Sequence, residues 1–431
     1  MGRFIFKQKF SIFYLALFFS LALTAQIDFT EYSGKVIDGS SNRTLEAASL
    51  SINETNISTI TNSEGQFVLK VPNNYLDSKV VISLLGYNTR VVPLSELSDK
   101  NNNIKLFQAV TQLSAVNVSA YKNAENLVRR VFDEKGKTVQ DESLFMTAFY
   151  RETIKRRSRN VSLTEAVVTI LKQPNASLVK DAIQLGKARK STDYKRLDTL
   201  SVKLQGGPFS TIYLDIMKYP EYIFTSETIK SYRFSFDQPT TINNRNVYVV
   251  NFESKNNGQN INYNGKLYID VRSLALVSAT YALDVSNKNK TKNLLVKRKP
   301  KGVVVYPLEA KYRVDYKSKG DKWYYSYSSL SLRFKVNKKR ELFNKVYTLA
   351  SEMAVTDWEV NAADKKIRQK DRLKPTVIIT DAISGFSDPN FWGEYNLIEP
   401  DKSIESAIDK IRKNIEKQKE RQEKKTINST P

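Results

Sequence analysis

The sequence contains no cysteine and no histidine. The absence of cysteine excludes disulfide bonds, a thiolate nucleophile and Cys-based metal sites. The absence of histidine removes the usual general base near neutral pH and the commonest ligand of transition metals. Zinc peptidases, His-containing triads and most phosphoryl relays are therefore excluded, whereas carboxylate-only chemistry, as in glycosidases, remains open. We expect neither a cofactor nor a bound metal.

Long apolar runs are scarce, and the clearest one lies at the N-terminus. Three basic residues precede an apolar run over residues 10–23, and small residues follow it up to Ala25. This pattern predicts a cleavable signal peptide over residues 1–25. The run of about 14 residues is shorter than the roughly 20 that span a bilayer, so a retained anchor is the weaker alternative. We expect export to the periplasm or the outer membrane, with no transmembrane span after cleavage.

Acidic residues are outnumbered by basic ones, 45 to 68, which gives a formal charge of +23. Such a charge usually suggests nucleic acid. An exported protein instead meets lipopolysaccharide, anionic lipids and acidic glycans, so we expect no nucleic-acid partner. The alternative is a generally basic surface that keeps the protein soluble.

Residues 31–118 are predicted to form a small β-sandwich, because short β-rich runs alternate with turn signals. These runs cover residues 33–37, 48–52, 66–71, 80–85 and 103–107. Gly65 is expected to supply a positive φ in a hairpin turn, and Gly86 a second irregular position.

Four blocks in this region occur in the order and spacing of a known family. They are GKVID from Gly34, LEAA from Leu45, TNSEGQF from Thr61 and LGY from Leu85. Together they resemble the carboxypeptidase regulatory-like domain, although Thr44 stands where that family has proline. The resemblance implies a seven-stranded, transthyretin-like sandwich without a catalytic zinc site. Such modules begin outer-membrane receptors and surface proteins of Bacteroidetes-type bacteria.

The following segment, residues 119–137, is predicted to be a connector helix. Apolar residues from Ala124 to Phe132 recur at helical spacing, and Gly136 is the expected stop. Residues 401–431 are predicted to form a C-terminal helix, capped at Asp401 or Ser403, and a disordered tail.

Residues 138–400 are predicted to form a larger antiparallel β domain, so that the fold class is mainly β. Strict alternation over residues 277–285, 308–316 and 324–336 predicts a sheet with one face in a core and one face in water. The long strands favour a curved sheet or half-barrel. Residues 149–152, the segment 165–167, and residues 388–393 leading to 398–400 resemble a Bacteroidetes domain of unknown function that often follows the regulatory-like module. Residues 246–285 resemble the half-barrel of periplasmic lipoprotein carriers.

Three basic stretches are candidates for docking on an anionic surface. The first consists of Lys288, Lys290, Lys292, Lys297, Arg298, Lys299 and Lys301. The second covers residues 363–374 and the third residues 155–159. The alternative is that the first is a solvated loop and the second a solvated helix face. Docking is favoured if the third stretch lies on a hairpin beside another one.

Aromatic residues are candidates for a ligand-facing surface. Tyr213 and Tyr222 flank Pro220, and Trp323 and Tyr325 lie on one predicted strand. The alternative is ordinary packing between strands.

The leading hypothesis is a non-catalytic protein that docks through its sandwich. Its larger domain would bind an envelope component, namely an outer-membrane protein, a lipid or a glycan. It would do so either by carrying a lipid in a concave sheet or by acting as a scaffold. One alternative is a glycan hydrolase with two carboxylates roughly 5 to 10 Å apart in a cleft. Another is an accessory subunit of an outer-membrane transport system.

Overall fold

The computed structural model describes residues 28–109, 123–157, 159–192, 205–225, 227–242, 244–255, 261–296, 301–338, 344–383, 392–402, 404–406 and 409. The predicted signal peptide, the residues Lys297, Arg298 and Lys299, and most of the predicted C-terminal helix lie outside these ranges. Within the described part of that helix, the backbone N–H of Ile404 donates to Asp401 Oδ1 at 2.9 Å, as expected of a capping residue.

The N-terminal region is a sandwich of seven strands. They are β1 (Phe29–Asp38), β2 (Ser49–Ile52), β3 (Ser58–Ile60), β4 (Gln66–Pro72), β5 (Lys79–Ser83), β6 (Arg90–Pro93) and β7 (Asn102–Leu106). One sheet has the order β4-β1-β7 and the other β3-β2-β5-β6, and their facing sides bury a common apolar core. Short 3-10 helices cover Asn73–Tyr75 and Leu94–Glu96. The seven strands confirm the predicted sandwich; the short strands β3 and β6 were not predicted from the local pattern.

Gly65 holds the turn before β4. Its φ is +70°, and a Cβ added there would lie 2.6 Å from the carbonyl oxygen of Val36. Both the left-handed backbone and the close approach therefore require glycine. Gly86 also has a positive φ, of +85°. The positive φ at Gly65 and the irregular position at Gly86 are confirmed, but the turn at Gly65 is not a hairpin, because it joins β3 of one sheet to β4 of the other.

The second region is built on a single sheet of ten strands. They are β8 (Leu144–Arg156), β9 (Arg159–Lys172), β10 (Ala182–Thr192), β11 (Tyr232–Ile242), β12 (Arg245–Ser254), β13 (Tyr263–Asp270), β14 (Leu276–Leu283), β15 (Val303–Lys319), β16 (Lys322–Lys338) and β17 (Lys345–Val360). The helices are α1 (Ala124–Asp133), α2 (Lys135–Thr138), α3 (Phe209–Ile212), α4 (Lys288–Leu295) and α5 (Ile379–Ala382), with 3-10 turns at Pro220–Tyr222, Thr228–Ser231 and Gln369–Asp371.

The sheet order is β10-β9-β8-β17-β16-β15-β14-β13-β12-β11. Adjacent strands are antiparallel, and most are joined by short connections. The connection between β14 and β15 is longer and holds α4, and in the pair β8 and β17 the last strand returns to the first. β10 and β11 form the two edges, so the sheet is open rather than a closed barrel.

The connector helix is confirmed as α1, but its predicted end is wrong. Asn123 caps the start by accepting a hydrogen bond from the backbone N–H of Glu125 at 2.8 Å. The helix ends at Asp133 with Glu134 as its C-cap residue, and Gly136 lies inside the next helical turn, α2. Gly136 is therefore not the stop, because the chain reverses through α2 before it enters β8.

One face of the ten-stranded sheet, the inner face, is covered by the chain itself. The covering elements are α1 and residues 205–231, whose apolar side chains share one buried core with the sheet. Phe209, Ile212 and Phe224 are at most 2% exposed. The Ser328 hydroxyl donates to the Thr211 carbonyl at 2.9 Å and fixes the covering segment to β16.

The opposite face, the outer face, packs against the sandwich. Phe149 and Val167 of the sheet share a buried cluster with Ala47 and Ile60 of the sandwich. The prediction of a wet outer face is therefore wrong over this area, because a second domain covers it.

Candidate functional site: the basic end of the ten-stranded sheet

Two of the three predicted basic stretches meet at one end of the ten-stranded sheet, which we term the basic end. The hairpin between β8 and β9 lies there, with Arg156 opposite Arg159. In the next strand pair, Arg156 lies opposite Tyr347 near the start of β17. The connection that holds α4 enters β15 at the same end, where Val303 pairs with Lys338. The third stretch therefore lies on a hairpin and close to the first, as the docking hypothesis requires.

The charge of the basic end is almost entirely positive. The described segments that form it are residues 154–157, 284–296, 301–305, 334–338 and 344–347. Their basic residues are Lys155, Arg156, Arg157, Lys288, Lys290, Lys292, Lys301, Lys335, Lys338 and Lys345. Their acidic residue is Asp284, and Asp401 from the C-terminal segment pairs with Lys155 at 3.7 Å. A cluster of this kind sums to a local positive potential that attracts a polyanion.

The helix α4 presents part of this charge to solvent. The Asn287 side chain caps its start, and the residues Leu294, Leu295 and Val296 at its end pack against a buried cluster that includes Val303 and Val305. Lys288 and Lys290 are exposed. The alternative reading of a solvated loop is therefore wrong for residues 288–295, because three apolar residues anchor a helix here.

The second basic stretch, residues 363–374, lies at the opposite end of the sheet. Arg372 bridges to Gln184 at the start of β10, and Ile367 is buried beside Leu171. Apart from one 3-10 turn at Gln369–Asp371, the stretch is a loop rather than a helix, and Arg368 pairs with Asp371 at 2.6 Å. This stretch does not join the basic end.

The aromatic candidates pack inside the protein. Trp323 and Tyr325 are each 2% exposed and belong to the core of the inner face. The hydroxyl groups of Tyr325 and Ser328 are hydrogen-bonded at 2.6 Å. Tyr213 is half-buried and makes edge contact with Tyr219, with ring centroids 5.0 Å apart. The side chain of Tyr222 lies outside the described residues.

Two carboxylates do lie close together, but they are buried. Asp181 and Asp215 each bind the ammonium of Lys172 at 2.7 Å. Burial alone would lower the pKa of Lys172, yet the two carboxylates outweigh burial and raise it. The Tyr316 hydroxyl also donates to Asp215 at 2.8 Å. This cluster braces the covering segment against β9 and does not open into a cleft.

A cavity of about 430 Å³ lies between the sandwich and the ten-stranded sheet. A second cavity of about 320 Å³ lies beside Asp401 and Ile404, and a third of about 330 Å³ lies between α1 and the segment from Pro220 to Ile229. The last is a surface groove at the margin of the covering segment. Within the described ranges, no helix has both the length and the apolar character needed to cross a membrane.

Comparison with known proteins bears on the sandwich. Residues 32–118 match the model of the CarboxypepD_reg-like domain. This region is a CarboxypepD_reg-like domain. The resemblance drawn from the four sequence blocks is thereby confirmed. Over 56% of its length, this chain is similar to the crystal structure of a DUF1329 family protein from Desulfovibrio piger, with 10% identity, a TM-score of 0.23 and coverage of 93% of that chain. Comparison with curated proteins found no match.

Residues 392–402 link the CarboxypepD_reg-like domain to the outer face, and we term them the strap. The Asn396 side chain accepts a hydrogen bond from the Lys70 backbone N–H at 2.7 Å and donates to the Lys70 carbonyl at 3.1 Å. The Thr59 hydroxyl donates to the Leu397 carbonyl at 2.8 Å. On the other side, Arg151 donates to the Ile398 carbonyl at 2.6 Å. The strap therefore binds both domains at once.

A buried ion cluster holds the strap on the sheet. Glu165, which is fully buried, accepts hydrogen bonds from Arg151 at 2.8 Å and from Arg189 at 2.6 Å. Burial alone would raise the pKa of Glu165, but the two guanidinium groups outweigh burial and lower it. The guanidinium of Arg189 also lies 5.1 Å from the ring centroid of Trp392 in the strap. The sequence named Arg151 and Glu165 only as parts of a resemblance and did not reveal the cluster, because its members come from three strands and a distant segment.

Proposed function

We propose that this chain is a non-catalytic, exported protein of the cell envelope that docks on an anionic membrane surface through its basic end. The observation that carries the proposal is the charge of that end, where the described segments hold ten basic residues and one acidic residue, and Lys155 pairs with a further carboxylate, that of Asp401. The predicted signal peptide supports export, and the CarboxypepD_reg-like domain supports a place in the envelope. The absence of histidine and cysteine supports a binding role over catalysis.

The proposal favours surface docking over carriage of a lipid. A carrier needs an apolar cavity of several hundred Å³ for the lipid chains. In the described part of the chain, α1 and residues 205–231 occupy the inner face where such a cavity would lie. Docking by charge needs no cavity and uses the basic end as it stands.

The expected strength follows from membrane electrostatics. Each basic residue near an anionic bilayer contributes about 1 kcal/mol, and the attraction decays within about 10 Å at 0.1 M salt. The exposed Lys288 and Lys290 on α4 are the simplest residues to change. Acidic residues in the first turn of a helix are also compatible with its dipole, so their replacement should leave α4 folded.

The experiment is vesicle co-sedimentation with the mature chain. Vesicles of neutral phosphatidylcholine are compared with vesicles that contain about one third phosphatidylglycerol. We expect binding to the anionic vesicles only, release at 0.5 M salt, and at least about a 30-fold loss of affinity in the variant Lys288→Glu/Lys290→Glu.

A matched control variant is Lys365→Glu/Lys366→Glu, which changes the net charge equally at the opposite end of the sheet. It should bind almost as well as the wild type. Equal losses in both variants would mean that net charge alone governs binding and would refute the role of the basic end. Binding to an acidic polysaccharide but not to vesicles would refute the membrane as the partner.

A further inference from the structure

The cavity of about 430 Å³ lies between the CarboxypepD_reg-like domain and the outer face of the ten-stranded sheet. The domain contributes Ser49, Ser51 and Ser58 from β2 and β3, and the sheet contributes strands β15, β16 and β17. This volume accommodates a molecule the size of a monosaccharide derivative. Neither domain encloses the cavity alone, so it exists only in the assembled protein.

The lining of the cavity carries excess positive charge. Its charged residues are Arg245, Arg313, Lys317, Lys319, Glu54 and Asp315. Asp315 is engaged by Arg313 at 2.8 Å and by the Ser278 hydroxyl at 2.6 Å. Lys319 donates to the Asn56 side chain of the CarboxypepD_reg-like domain at 2.8 Å. The one acidic group on the sheet side of the cavity is therefore already paired with Arg313.

Lys317 is the exception among these cations. Its Nζ atom is buried and has no hydrogen-bond partner among the described residues. The atom lies 5.7 Å from the ring centroid of Trp358, and Lys319 Nζ lies 5.8 Å from the same centroid. Buried polar groups in proteins nearly always have a hydrogen-bond partner, and a buried ammonium needs one most of all. The Lys317 ammonium is therefore expected to bind a partner from outside the described residues.

The electrostatics of Lys317 point in the same direction. Burial lowers the pKa of Lys317 to about 8, and the nearby Lys319 lowers it as well, whereas Asp357 opposes them. An anion placed at Nζ would offset the loss of hydration and favour the charged ammonium. The unpaired state is thus the less favourable one for this side chain.

We propose that the cavity is a binding site for a small solute that carries an oxyanion, either a carboxylate or a phosphate, and that Lys317 Nζ binds this group. The serine hydroxyl groups of the opposite wall would bind the remaining polar groups of the solute. The site does not depend on the basic end, since its charged residues lie on the outer face and in the sandwich. The two sites could therefore be occupied independently.

The test is isothermal titration of the mature chain with three sugars of similar size. Glucuronate carries a carboxylate, glucose 6-phosphate carries a phosphate, and glucose carries neither. The variant Lys317→Met removes the ammonium and keeps the length of the side chain. The control variant Lys335→Met removes one charge at the basic end, far from the cavity.

We expect at least one of the charged sugars to bind, glucose not to bind, and Lys317→Met to weaken binding by about tenfold or more. Lys335→Met should change the affinity by less than about twofold. The charged sugar that binds with the higher affinity shows whether the site prefers a carboxylate or a phosphate. The bound sugar should raise the thermal midpoint of the wild type but not of Lys317→Met. A cooperative thermal transition in both proteins confirms that both are folded.

Three results would overturn the proposal. One is that neither charged sugar binds at about 10 mM, a concentration above the dissociation constant expected of a specific site. Another is equal affinity of the wild type and Lys317→Met. The third is binding of glucose as tight as that of the charged sugars, because the oxyanion would then contribute nothing.

Discussion

Replacing Glu165 by glutamine should strongly destabilise the protein. The substitution keeps the shape of the side chain and removes its negative charge. The positive charges of the buried Arg151 and Arg189 guanidinium groups are then less well neutralised. Arg151 retains Glu352 at 3.3 Å, whereas the short 2.6 Å contact of Arg189 with a carboxylate is lost. Breaking one partner of a buried pair typically costs 3–5 kcal/mol, so we expect a loss of about 4 kcal/mol in the free energy of unfolding.

The assay is equilibrium denaturation in urea, followed by tryptophan fluorescence. Trp392 is a suitable reporter because its ring lies 5.1 Å from the Arg189 guanidinium. The matched control is Glu352→Gln, since the Glu352 side chain is 28% exposed and contacts Arg151 at a longer distance. We expect this control to cost about 1 kcal/mol.

The Glu165→Gln protein should also release the strap. Arg151 donates to the Ile398 carbonyl from the same guanidinium that binds Glu165, so a displaced Arg151 would free residues 392–402 for proteolysis. Protease should cleave the strap faster in Glu165→Gln than in Glu352→Gln. A cost below about 1 kcal/mol, or equal costs in the two variants, would refute our account of the buried cluster.

Two further predictions concern a titrating carboxyl and a turn. Burial raises the pKa of Glu152 from 4.5 to about 7, so the folded protein binds an extra proton and loses up to about 3 kcal/mol of stability as the pH rises through this window. Glu152→Gln should flatten that part of a pH series of urea midpoints, and an unchanged slope would contradict the assignment. Gly65→Ala should lower the thermal midpoint through a loss of about 1–3 kcal/mol, because φ is +70° and the new Cβ meets the Val36 carbonyl. Glu64→Ala is the control and should change little.

The sequence predicted the parts of the fold that depend on local pattern. Alternation over residues 308–316 placed Ala310 and Val314 in the core, where the structure has them. Leu308 is 36% exposed instead, because the register shifts between Pro307 and Glu309. The turn at Gly65 and the sandwich motifs were also predictable, since a positive φ and a short block are visible in a few residues.

The long-range parts of the fold could not be predicted in this way. Residues 205–231 have neither helical nor strand periodicity, yet they fill the inner face of the sheet. Lys317 has the position of a solvent-facing strand residue, yet its Nζ atom is buried beside Trp358 in a cavity that the sheet forms with a domain far away in the chain. The basic end was predicted in part. The basic stretches were visible in the sequence, but which of them lie together depends on how distant strands pair.

The return of β17 to β8 has a consequence for how the chain reaches its final state. Arg151 and Glu352 are 201 residues apart in sequence, and the pair β8 and β17 joins the two halves of the sheet. Contacts of such high sequence separation slow folding, because a long loop must close before they form. Until β17 has emerged, β8 has an unpaired edge that can bind another chain. A chain synthesised from its N-terminus would thus keep its larger domain unfolded until nearly all of it had been made, and would need protection from aggregation meanwhile.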